Sequence, residues 1–325
     1  MGLGVSIPEQ VVTNDDLAKR FTTSDEWIRQ RTGIEERHYA AEGVSTSDLG
    51  AEAARAAARD AGCALSEIDC ILFATLSPDH HFPGAGCYMQ HKLGLGGVPV
   101  MDIRNQCTGF LFALATADAF VRAGSFKKIL VVGAEVHSSA LNFSDAGRDV
   151  AVLFGDGAGA AIVSESPSPD RGFLSFDLHA DGSHARALHL DVWDISKKPY
   201  IPDGPIDDRH RYPRMDGRAV FKHAVTRLAE TITRTLTSNG LGVEDIGQLI
   251  PHQANLRINE HVAKALGFKP EQVHNNIQRY GNTTAASIPI CLREARDMQR
   301  FHAGDAVIIA AFGSGFTWGS CLLRW

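Results

Sequence analysis

Short apolar runs alternate with helical patterns along the chain. The runs are rich in Ile, Leu and Val, follow polar turns, and occur at 71–74, 129–132 and 307–310. Such runs are typical of strands that are buried on both faces of a sheet. An alanine-rich stretch at 47–61 and a longer amphipathic stretch at 217–239 each stop before a glycine, so both are predicted to be helices. The alternation predicts an α/β architecture.

The two halves of the chain repeat one pattern. Residues 61–74 line up with 239–252, because in both a helix ends at glycine, an acidic residue and an isoleucine follow, and an apolar strand begins. Two further matches follow in the same order: a Leu-Gly pair at 93–94 and again at 266–267, and a glycine-led strand after 124 and again after 304. Three matches in one order predict a duplicated α/β unit.

Two polar segments interrupt this pattern. The first, rich in serine and proline at 166–170, predicts a linker between an N-terminal half at 1–165 and a C-terminal half at 172–325. The second, rich in proline and charge at 197–214, belongs to neither repeat. We expect it to be an exposed excursion.

Composition narrows the class of protein. Of the 325 residues, 44% are hydrophobic and 22% are charged, which is ordinary for a globular protein. The net charge of −6 argues against a chain-wide basic surface for nucleic acid. No run approaches the roughly 20 apolar residues of a membrane span, and no signal-peptide pattern opens the chain. The six cysteines lack paired metal-ligand spacing, so we expect reduced thiols in a cytoplasmic protein and no metal site.

Three positions could carry chemistry. Cys107 lies where a strand pattern gives way to a helix, so it is either one more buried thiol or a nucleophile whose thiolate the helix N-terminus stabilises. His252 follows an apolar strand and is either a helix-capping residue or a catalytic donor, and Asn282 follows a glycine, as turn and N-cap residues do. Because the repeat puts Cys107 and Asn282 at equivalent strand ends and His252 at a neighbouring one, we expect the three to converge.

Several motifs in order resemble one family over essentially the whole chain, the β-ketoacyl-acyl carrier protein synthase III enzymes of the thiolase superfamily. The motifs are TSDEWI at 23–28, RTGI at 31–34, FGDGAGA at 154–160, PHQANLRI at 251–258, GNT at 281–283 and GFTWG at 315–319. The resemblance implies a duplicated thiolase-like fold with five layers, αβαβα, in agreement with the repeat. It also implies a homodimer.

The resemblance implies a role for each candidate. Cys107 would be the nucleophile that accepts an acyl group from acyl-CoA. His252 and Asn282 would hold the thioester oxygen of malonyl-acyl carrier protein as carbon dioxide leaves and an enolate forms, and the backbone N–H groups of Cys107 and Ser314 would form the oxyanion hole. Neutral donors suffice for this decarboxylating Claisen condensation, so no metal or redox cofactor is expected.

The same resemblance implies binding positions around these residues. The adenine of coenzyme A would stack between Trp27 and Arg148, and Arg31 would face its phosphates. Other positions that match the coenzyme A site are Arg218, Phe221 and Ala254. Positions that match the basic docking surface for the acidic carrier protein are Lys222, Arg257 and Lys264; for these charges, solvated surface residues are the alternative. Phe82 matches the residue that limits acyl-chain length from the neighbouring subunit, or it serves in ordinary dimer packing.

Because some residues depart from the family pattern, the sequence does not determine which acyl-CoA is the acyl donor. Gln106, Thr108 and Ser314 replace commoner small residues, and Arg218 stands where asparagine is frequent. The leading hypothesis is the condensation that initiates fatty-acid synthesis; the alternative is a condensing enzyme of a specialised pathway with a longer or aromatic acyl-CoA. A non-catalytic acyl- or CoA-binding protein is disfavoured because all three candidates are present. A degradative thiolase would need a second cysteine as base, and Cys321 lies too far into the final strand for that role.

Overall fold

The computed structural model describes residues 2–192, 194–201 and 203–325; Met1 of the first predicted half and Pro202 of the predicted excursion lie outside them. The strands within these ranges are β1 (Gly2–Ser6), β2 (Gln10–Thr13), β3 (Glu36–Tyr39), β4 (Cys70–Ala74), β5 (Val100–Ile103), β6 (Lys128–Glu135), β7 (Gly157–Ser164), β8 (Gly172–Ala180), β9 (Leu188–His189), β10 (Arg214–Met215), β11 (Ile246–Pro251), β12 (Ala306–Gly313) and β13 (Thr317–Arg324). The helices are α1 (Asn14–Ala18), α2 (Asp25–Thr32), α3 (Thr46–Ala61), α4 (Ala85–Lys92), α5 (Gly109–Arg122), α6 (Arg148–Ala151), α7 (Asp208–Arg211), α8 (Gly217–Ser238), α9 (Leu256–Leu266), α10 (Ile277–Tyr280) and α11 (Ser287–Asp297).

Two sheets with the same topology form the frame. The first has the order β1–β7–β6–β4–β5 and the second the order β8–β13–β12–β11. In each, two antiparallel pairings are followed by a parallel one. Val273 forms a parallel bridge with Leu249 of β11, at the place that β5 takes beside β4. The duplicated unit predicted from the sequence is therefore confirmed.

Helices cover both sheets and separate them. Helices α3 and α4 pack on the outer face of the first sheet, and α8 and α9 pack on the outer face of the second. Helices α5 and α11 lie between the sheets and share one apolar core with both of them. The predicted five-layered αβαβα arrangement is confirmed.

The predicted elements match the structure closely. The three apolar runs are β4, β6 and β12, and the two helical patterns are α3 and α8. Helix α3 begins with a capping box of Ser45 and Asp48 and ends at Gly62, whose φ of 65° suits glycine. The described part of 197–214 is mostly exposed and contains α7. Among the described residues, no helix combines the length and apolarity that crossing a membrane requires.

Sheet membership changes between β7 and β8, at the segment predicted to be a linker. Every strand of the first sheet precedes 165 and every strand of the second follows 171. This supports a boundary between 165 and 172. That the two halves are separate domains stays a prediction, because α5 and α11 come from different halves and share one core.

A small cap lies beside the sheets and is anchored by a buried arginine. The cap is formed by α1, α2, β2 and β3 together with residues from 141–154. The side chain of Arg37 is 0% exposed. Its guanidinium donates to the carbonyl oxygens of Val12 and Val152 and to Oδ1 of Asn14, at 2.8–3.2 Å. Arg37 therefore ties the cap to the segment before β7.

We predict that Arg37→Met lowers the free energy of unfolding by about 2–4 kcal/mol, because methionine leaves three buried acceptors without donors. The measurement is the shift in urea midpoint. Arg59→Met is the matched control, since Arg59 is exposed near the end of α3 and should change stability by less than about 0.5 kcal/mol. Equal midpoints for the two variants would contradict the anchoring role of Arg37.

Candidate active site

Cys107 lies in a turn between a strand and a helix. The 3₁₀ turn Gln106–Thr108 joins β5 to α5 and puts Cys107 just before the N-terminus of α5. Gln106 has a φ of 45°, which is uncommon for a residue other than glycine. This backbone angle turns the chain sharply from the strand end into the helix. The position before the helix is the one predicted from the sequence.

The second half repeats this turn. The 3₁₀ turn Thr284–Ala286 precedes α11, and Thr284 has a φ of 47°. In this correspondence Cys107 matches Ala285. Asn282, which the repeat placed at the equivalent strand end, lies three residues before Ala285 and is held there by backbone hydrogen bonds to residues 153 and 155.

The end of β12 closes on Cys107. A Cβ on Gly313 would lie 2.8 Å from the Cβ of Cys107, so glycine is needed for this approach. The hydroxyls of Thr108 and Thr317 are hydrogen-bonded at 2.8 Å and link the two halves beside the turn. The backbone N–H groups of Cys107 and Ser314 lower the pKa of the Cys107 thiol and so favour negative charge at this place. An oxyanion hole uses N–H groups of this kind; that role of the two residues stays a prediction.

Burial dominates the electrostatics of the thiol. Desolvation, and then the negative charge of Glu135, raise the pKa of Cys107 to about 12, against the hydrogen bonds from backbone N–H groups and from the Thr284 hydroxyl. Of the two alternatives left open by the sequence, the buried neutral thiol therefore describes the resting protein, although backbone N–H groups do favour the thiolate. The loss of hydration destabilises the thiolate more than these hydrogen bonds stabilise it.

His252 is buried and presents one free ring nitrogen. Its backbone N–H donates to the Ala310 carbonyl of the neighbouring strand at 2.8 Å, and Nδ1 lies 2.6 Å from Oγ of Ser287. Nε2 is buried and has no hydrogen-bond partner among the described residues. Burial lowers the pKa of His252 to about 3, so the ring is neutral at neutral pH. When Ser287 donates to Nδ1, the ring proton lies on Nε2 and can be donated to a ligand.

Asn282 is fixed so that its amide nitrogen remains available. Its N–H donates to the Leu153 carbonyl at 2.8 Å, and its carbonyl accepts from Gly155 at 3.1 Å. Oδ1 accepts the N–H of Thr284 at 2.9 Å. The remaining polar group of the side chain is the NH2, which is a donor like Nε2 of His252.

One cavity of about 520 Å³ is lined by Cys107, His252 and Asn282 together. The other residues singled out from the sequence that line it are Ser314, Trp27, Arg31, Arg218, Phe221, Ala254 and Arg257. The cavity therefore joins a reactive sulfur and two neutral donors to an aromatic and basic mouth. Arg257 also lies over the ring of Phe221, with its guanidinium carbon 5.7 Å from the centroid.

Helix α2 builds the mouth. Ser24 caps it by accepting the N–H of Trp27 at 3.1 Å, and Arg31 follows one turn later. The guanidinium carbons of Arg31 and Arg148 lie 4.6 and 4.4 Å from the Trp27 ring centroid. Arg148 already stacks on Trp27, so an adenine can enter between them only if the guanidinium moves away.

Four of the residues singled out from the sequence do not line the cavity. Arg148 stacks on Trp27 without itself lining the cavity, and Lys222 and Lys264 are exposed on α8 and α9. Phe82 is 77% exposed in the loop before α4. The roles of these residues in coenzyme A binding, docking and chain-length limitation stay predictions.

The sequence analysis missed a buried acid close to Cys107. Glu135 ends β6 and is 0% exposed, and Ser77 donates to it from both its N–H and its hydroxyl, the latter at 2.6 Å. Burial raises the pKa of Glu135 to about 7, although these hydrogen bonds oppose the shift. The available signal was an acidic residue directly after the apolar run of β6, at the end of the strand. Within the described ranges, no group of three or more His, Cys, Asp or Glu side chains is arranged to hold a metal ion.

The raised pKa of Cys107 predicts an unusual pH profile. Below its pKa the thiolate fraction rises about tenfold per pH unit, so alkylation of Cys107 by iodoacetamide should still be accelerating at pH 10. In urea the same cysteine should level off near its ordinary pKa of about 8.5. Peptide mass spectrometry follows the modification. A plateau below pH 9 in the folded protein would show that the donors outweigh burial.

Two family models match the chain. The model described as 3-oxoacyl-[acyl-carrier-protein (ACP)] synthase III matches residues 101–182, and the model of its C-terminal part matches residues 236–325. The first match contains Cys107, and the second contains His252 and Asn282.

Known proteins resemble the chain over its whole length. The β-ketoacyl-[acyl-carrier-protein] synthase III of Bradyrhizobium diazoefficiens is 46% identical, over 100% of this chain and 98% of that protein. The crystal structure of the synthase III of Thermus thermophilus has a TM-score of 0.92 at 42% identity, covering 100% and 98% of the two chains. The priming β-ketosynthase of the R1128 polyketide pathway has a TM-score of 0.89 at 30% identity, covering 99% and 94%. With such identity over full length, this chain belongs to the 3-oxoacyl-[acyl-carrier-protein] synthase III family.

Proposed function

We propose that this protein catalyses the decarboxylating condensation of an acyl-CoA starter with malonyl-acyl carrier protein and so initiates fatty-acid synthesis. The observation that carries the proposal is that Cys107, His252 and Asn282 line one cavity. The name shared by its relatives, β-ketoacyl-[acyl-carrier-protein] synthase III, supports the same reaction. The reaction makes the protein an acyltransferase that works on thioesters.

In the first half-reaction, Cys107 accepts the acyl group. The thiol loses its proton, the sulfur attacks the thioester carbonyl, and the oxyanion forms beside the N–H groups of Cys107 and Ser314. The carbon–sulfur bond to coenzyme A breaks, and the departing thiolate takes up a proton. Because the thiol is neutral at rest, donors that act once charge develops on sulfur lower the barrier of this step.

In the second half-reaction, His252 and Asn282 stabilise the enolate. Malonyl-acyl carrier protein loses carbon dioxide, and the electron pair moves into the thioester carbonyl. Among the described residues Nε2 of His252 has no hydrogen-bond partner, and the side chain of Asn282 is held through its oxygen, so Nε2 and the Asn282 NH2 can bind the developing oxyanion. The enolate carbon then attacks the acyl-sulfur carbonyl, and the Cys107 thiolate leaves.

The residues at the mouth of the cavity suit the binding of both coenzyme A and acyl carrier protein. Trp27 and Arg31 offer an aromatic face and a cation for coenzyme A, with Arg148 as a mobile partner. Arg218, Phe221 and Ala254 extend this surface along the cavity. Arg257 and Lys264 are exposed on α9, and Lys222 is exposed on the adjacent α8. We assign these three cations to the docking of the acidic carrier protein.

A homodimer is part of the proposal. Strand β5 pairs only with β4, so it leaves one edge of the first sheet open. Phe82 exposes a large apolar side chain in the loop that precedes α4. Open edges and exposed aromatic side chains favour association. In a dimer through this edge, Phe82 would serve the acyl pocket of the neighbouring subunit.

A specialised pathway with a longer or aromatic starter is the second candidate. The likeness to the R1128 priming β-ketosynthase favours it, and the higher identity to proteins named β-ketoacyl-[acyl-carrier-protein] synthase III favours the first candidate. Both use the same sulfur chemistry. A degradative thiolase is disfavoured, because Cys321 packs in the core between the sheets and does not line the cavity.

We predict that Cys107→Ser abolishes the release of coenzyme A from acyl-CoA, because it removes the nucleophilic sulfur at almost constant volume. Release is followed with a thiol reagent, and a thermal melt checks that the variant is folded. Cys63→Ser is the matched control, since Cys63 follows α3 far from the cavity, and it should keep wild-type activity. Full coenzyme A release from folded Cys107→Ser would refute the assignment.

His252→Ala and Asn282→Ala should separate the two half-reactions. Each variant should still form acyl-Cys107, but the release of carbon dioxide from malonyl-acyl carrier protein should fall by about 10²–10³ per lost donor. Radiolabelled carbon dioxide measures the second step. His302→Ala, at an exposed position between α11 and β12 away from the cavity lining, is the control and should change neither step. If both steps fall equally, the two residues activate the thiol rather than stabilise the enolate.

Lys264→Glu should weaken the use of malonyl-acyl carrier protein by roughly three- to tenfold at low salt, because it reverses a docking charge. The effect should shrink as salt rises and screens exposed charges. Acyl-CoA loading should not change. Lys127→Glu is the control, because Lys127 is exposed at the opposite end of the first sheet, where β6 begins. If Lys264→Glu leaves the apparent affinity for malonyl-acyl carrier protein unchanged at low salt, Lys264 is an ordinary surface residue and has no docking role.

A further inference from the structure

A short chain of buried polar groups approaches Cys107 from behind the cavity. Nε2 of His137 lies 2.7 Å from Oγ1 of Thr284. The turn that contains Thr284 packs against the turn that contains Cys107, and the Thr284 hydroxyl is among the groups that lower the pKa of Cys107. Neither His137 nor Thr284 lines the cavity that holds His252 and Asn282, so these two side chains approach the turn of Cys107 from outside the cavity.

The backbone fixes the Thr284 hydroxyl in place. Thr284 is 0% exposed and has a φ of 47°, which is costly for a β-branched residue. Its N–H is held by Oδ1 of Asn282 at 2.9 Å. The turn that contains it packs against the turn of Cys107. Glycine or asparagine would adopt this angle more easily, so what threonine adds here is its hydroxyl group.

The surroundings of His137 favour a proton on Nε2. The His137 N–H donates to Oδ1 of Asp156 at 2.7 Å, and its ring centroid lies 4.7 Å from that of Phe154, so the side chain is held. Oε2 of Glu135 lies 3.9 Å from Nε2. This oxygen of Glu135 attracts a hydrogen on Nε2 and would repel a lone pair there, so the tautomer with the proton on Nε2 is favoured. Nε2–H can then donate to Thr284, which leaves the threonine hydrogen free to point at sulfur.

We propose that His137 is a positioning residue that directs the Thr284 hydroxyl at the sulfur of Cys107, where it acts as a third hydrogen-bond donor to the thiolate. This inference rests on Cys107 being the nucleophile. The sulfur carries negative charge twice, before it attacks acyl-CoA and when the enolate displaces it. A donor that cavity ligands do not touch stays in place through both half-reactions.

The titratable groups around the sulfur come from three directions. Glu135 at the end of β6 opposes the thiolate by its charge, and burial raises the pKa of Glu135 to about 7. Burial lowers the pKa of His137 to about 4 and that of His252, which follows β11, to about 3. Both rings are therefore neutral above pH 6. Between pH 8 and 10 the rate of alkylation then reports mainly the ionisation of Cys107.

The test is the rate of iodoacetamide alkylation of Cys107 in the full-length protein at pH 8–10. Thr284→Val should slow alkylation about tenfold or more, since it removes a hydrogen bond to a charged group. Thr284→Ser should restore the rate to within about twofold, because it keeps the hydroxyl. Thr116→Val is the control, because its hydroxyl bonds only to its own helix at the Phe112 carbonyl. Thermal melts confirm folding.

A second pair of variants tests His137 independently of Thr284. His137→Leu should slow alkylation as much as Thr284→Val, and His137→Gln, whose NH2 can donate to Thr284, should restore most of the rate. Combining His137→Leu with Thr284→Val should be no slower than Thr284→Val alone, since both act through one hydroxyl. Wild-type rates in Thr284→Val or His137→Leu, or effects that multiply in the double variant, would overturn the proposal.

The alkylation test does not depend on the condensation reaction. If wild-type protein is never acylated by acyl-CoA but the variants change alkylation as stated, the proposed function fails and the positioning role stands. If acylation is normal and alkylation is unchanged in every variant, the positioning role fails and the proposed function stands.

Discussion

The packing of α5 and α11 between the two sheets is the constraint on which the site depends. Both helices share one apolar core with both sheets, so their first turns are fixed relative to each other. Each turn begins with a residue of positive φ, Gln106 before α5 and Thr284 before α11. The two turns meet, and the end of β12 closes over them where Gly313 lacks a side chain. A reactive sulfur thus lies at the junction of two duplicated units.

Burial at this junction determines how the site can work. It raises the pKa of the Cys107 thiol and lowers the pKa of His252, so both groups are neutral at neutral pH. A neutral ring remains a donor across the physiological pH range, and in a dry site its hydrogen bond is stronger than in water. The same exclusion of water destabilises the Cys107 thiolate, so each hydrogen-bond donor to the sulfur contributes to its stability. Charge is concentrated instead at the mouth, in Arg31, Arg218 and Arg257.

Local sequence patterns predicted the frame of the fold well. Apolar runs bounded by turns located β4, β6 and β12, and caps and glycines located α3 and α8, because these features depend on neighbouring residues. The repeat predicted which strand ends meet, but it did not show that Ala285 is the residue that corresponds to Cys107. The polar segments before α5 and α11 are similar in composition. Composition alone therefore could not show which residue of one segment corresponds to which residue of the other.

Features that depend on tertiary packing could not be predicted. The sequence left open whether Cys107 is a buried thiol or a thiolate stabilised by a helix N-terminus; burial raises the pKa of Cys107, because the surrounding layers exclude water from it. Glu135 and His137 follow one another closely along the chain without marking a site; only the fold brings them to the turn at Thr284. The family resemblance placed Trp27 and Arg148 on either side of an adenine, but it did not predict that they stack directly on each other.

The most direct measurement is peptide mass spectrometry of the wild-type protein after incubation with acyl-CoAs of increasing length and with an aromatic acyl-CoA. The account predicts that the mass of the acyl group appears on the peptide that contains Cys107 and on no other cysteine. It also predicts that malonyl-acyl carrier protein removes this mass and yields a β-ketoacyl product. An acyl group on another residue with Cys107 unmodified, or an acyl-Cys107 that malonyl-acyl carrier protein does not discharge, would contradict the account.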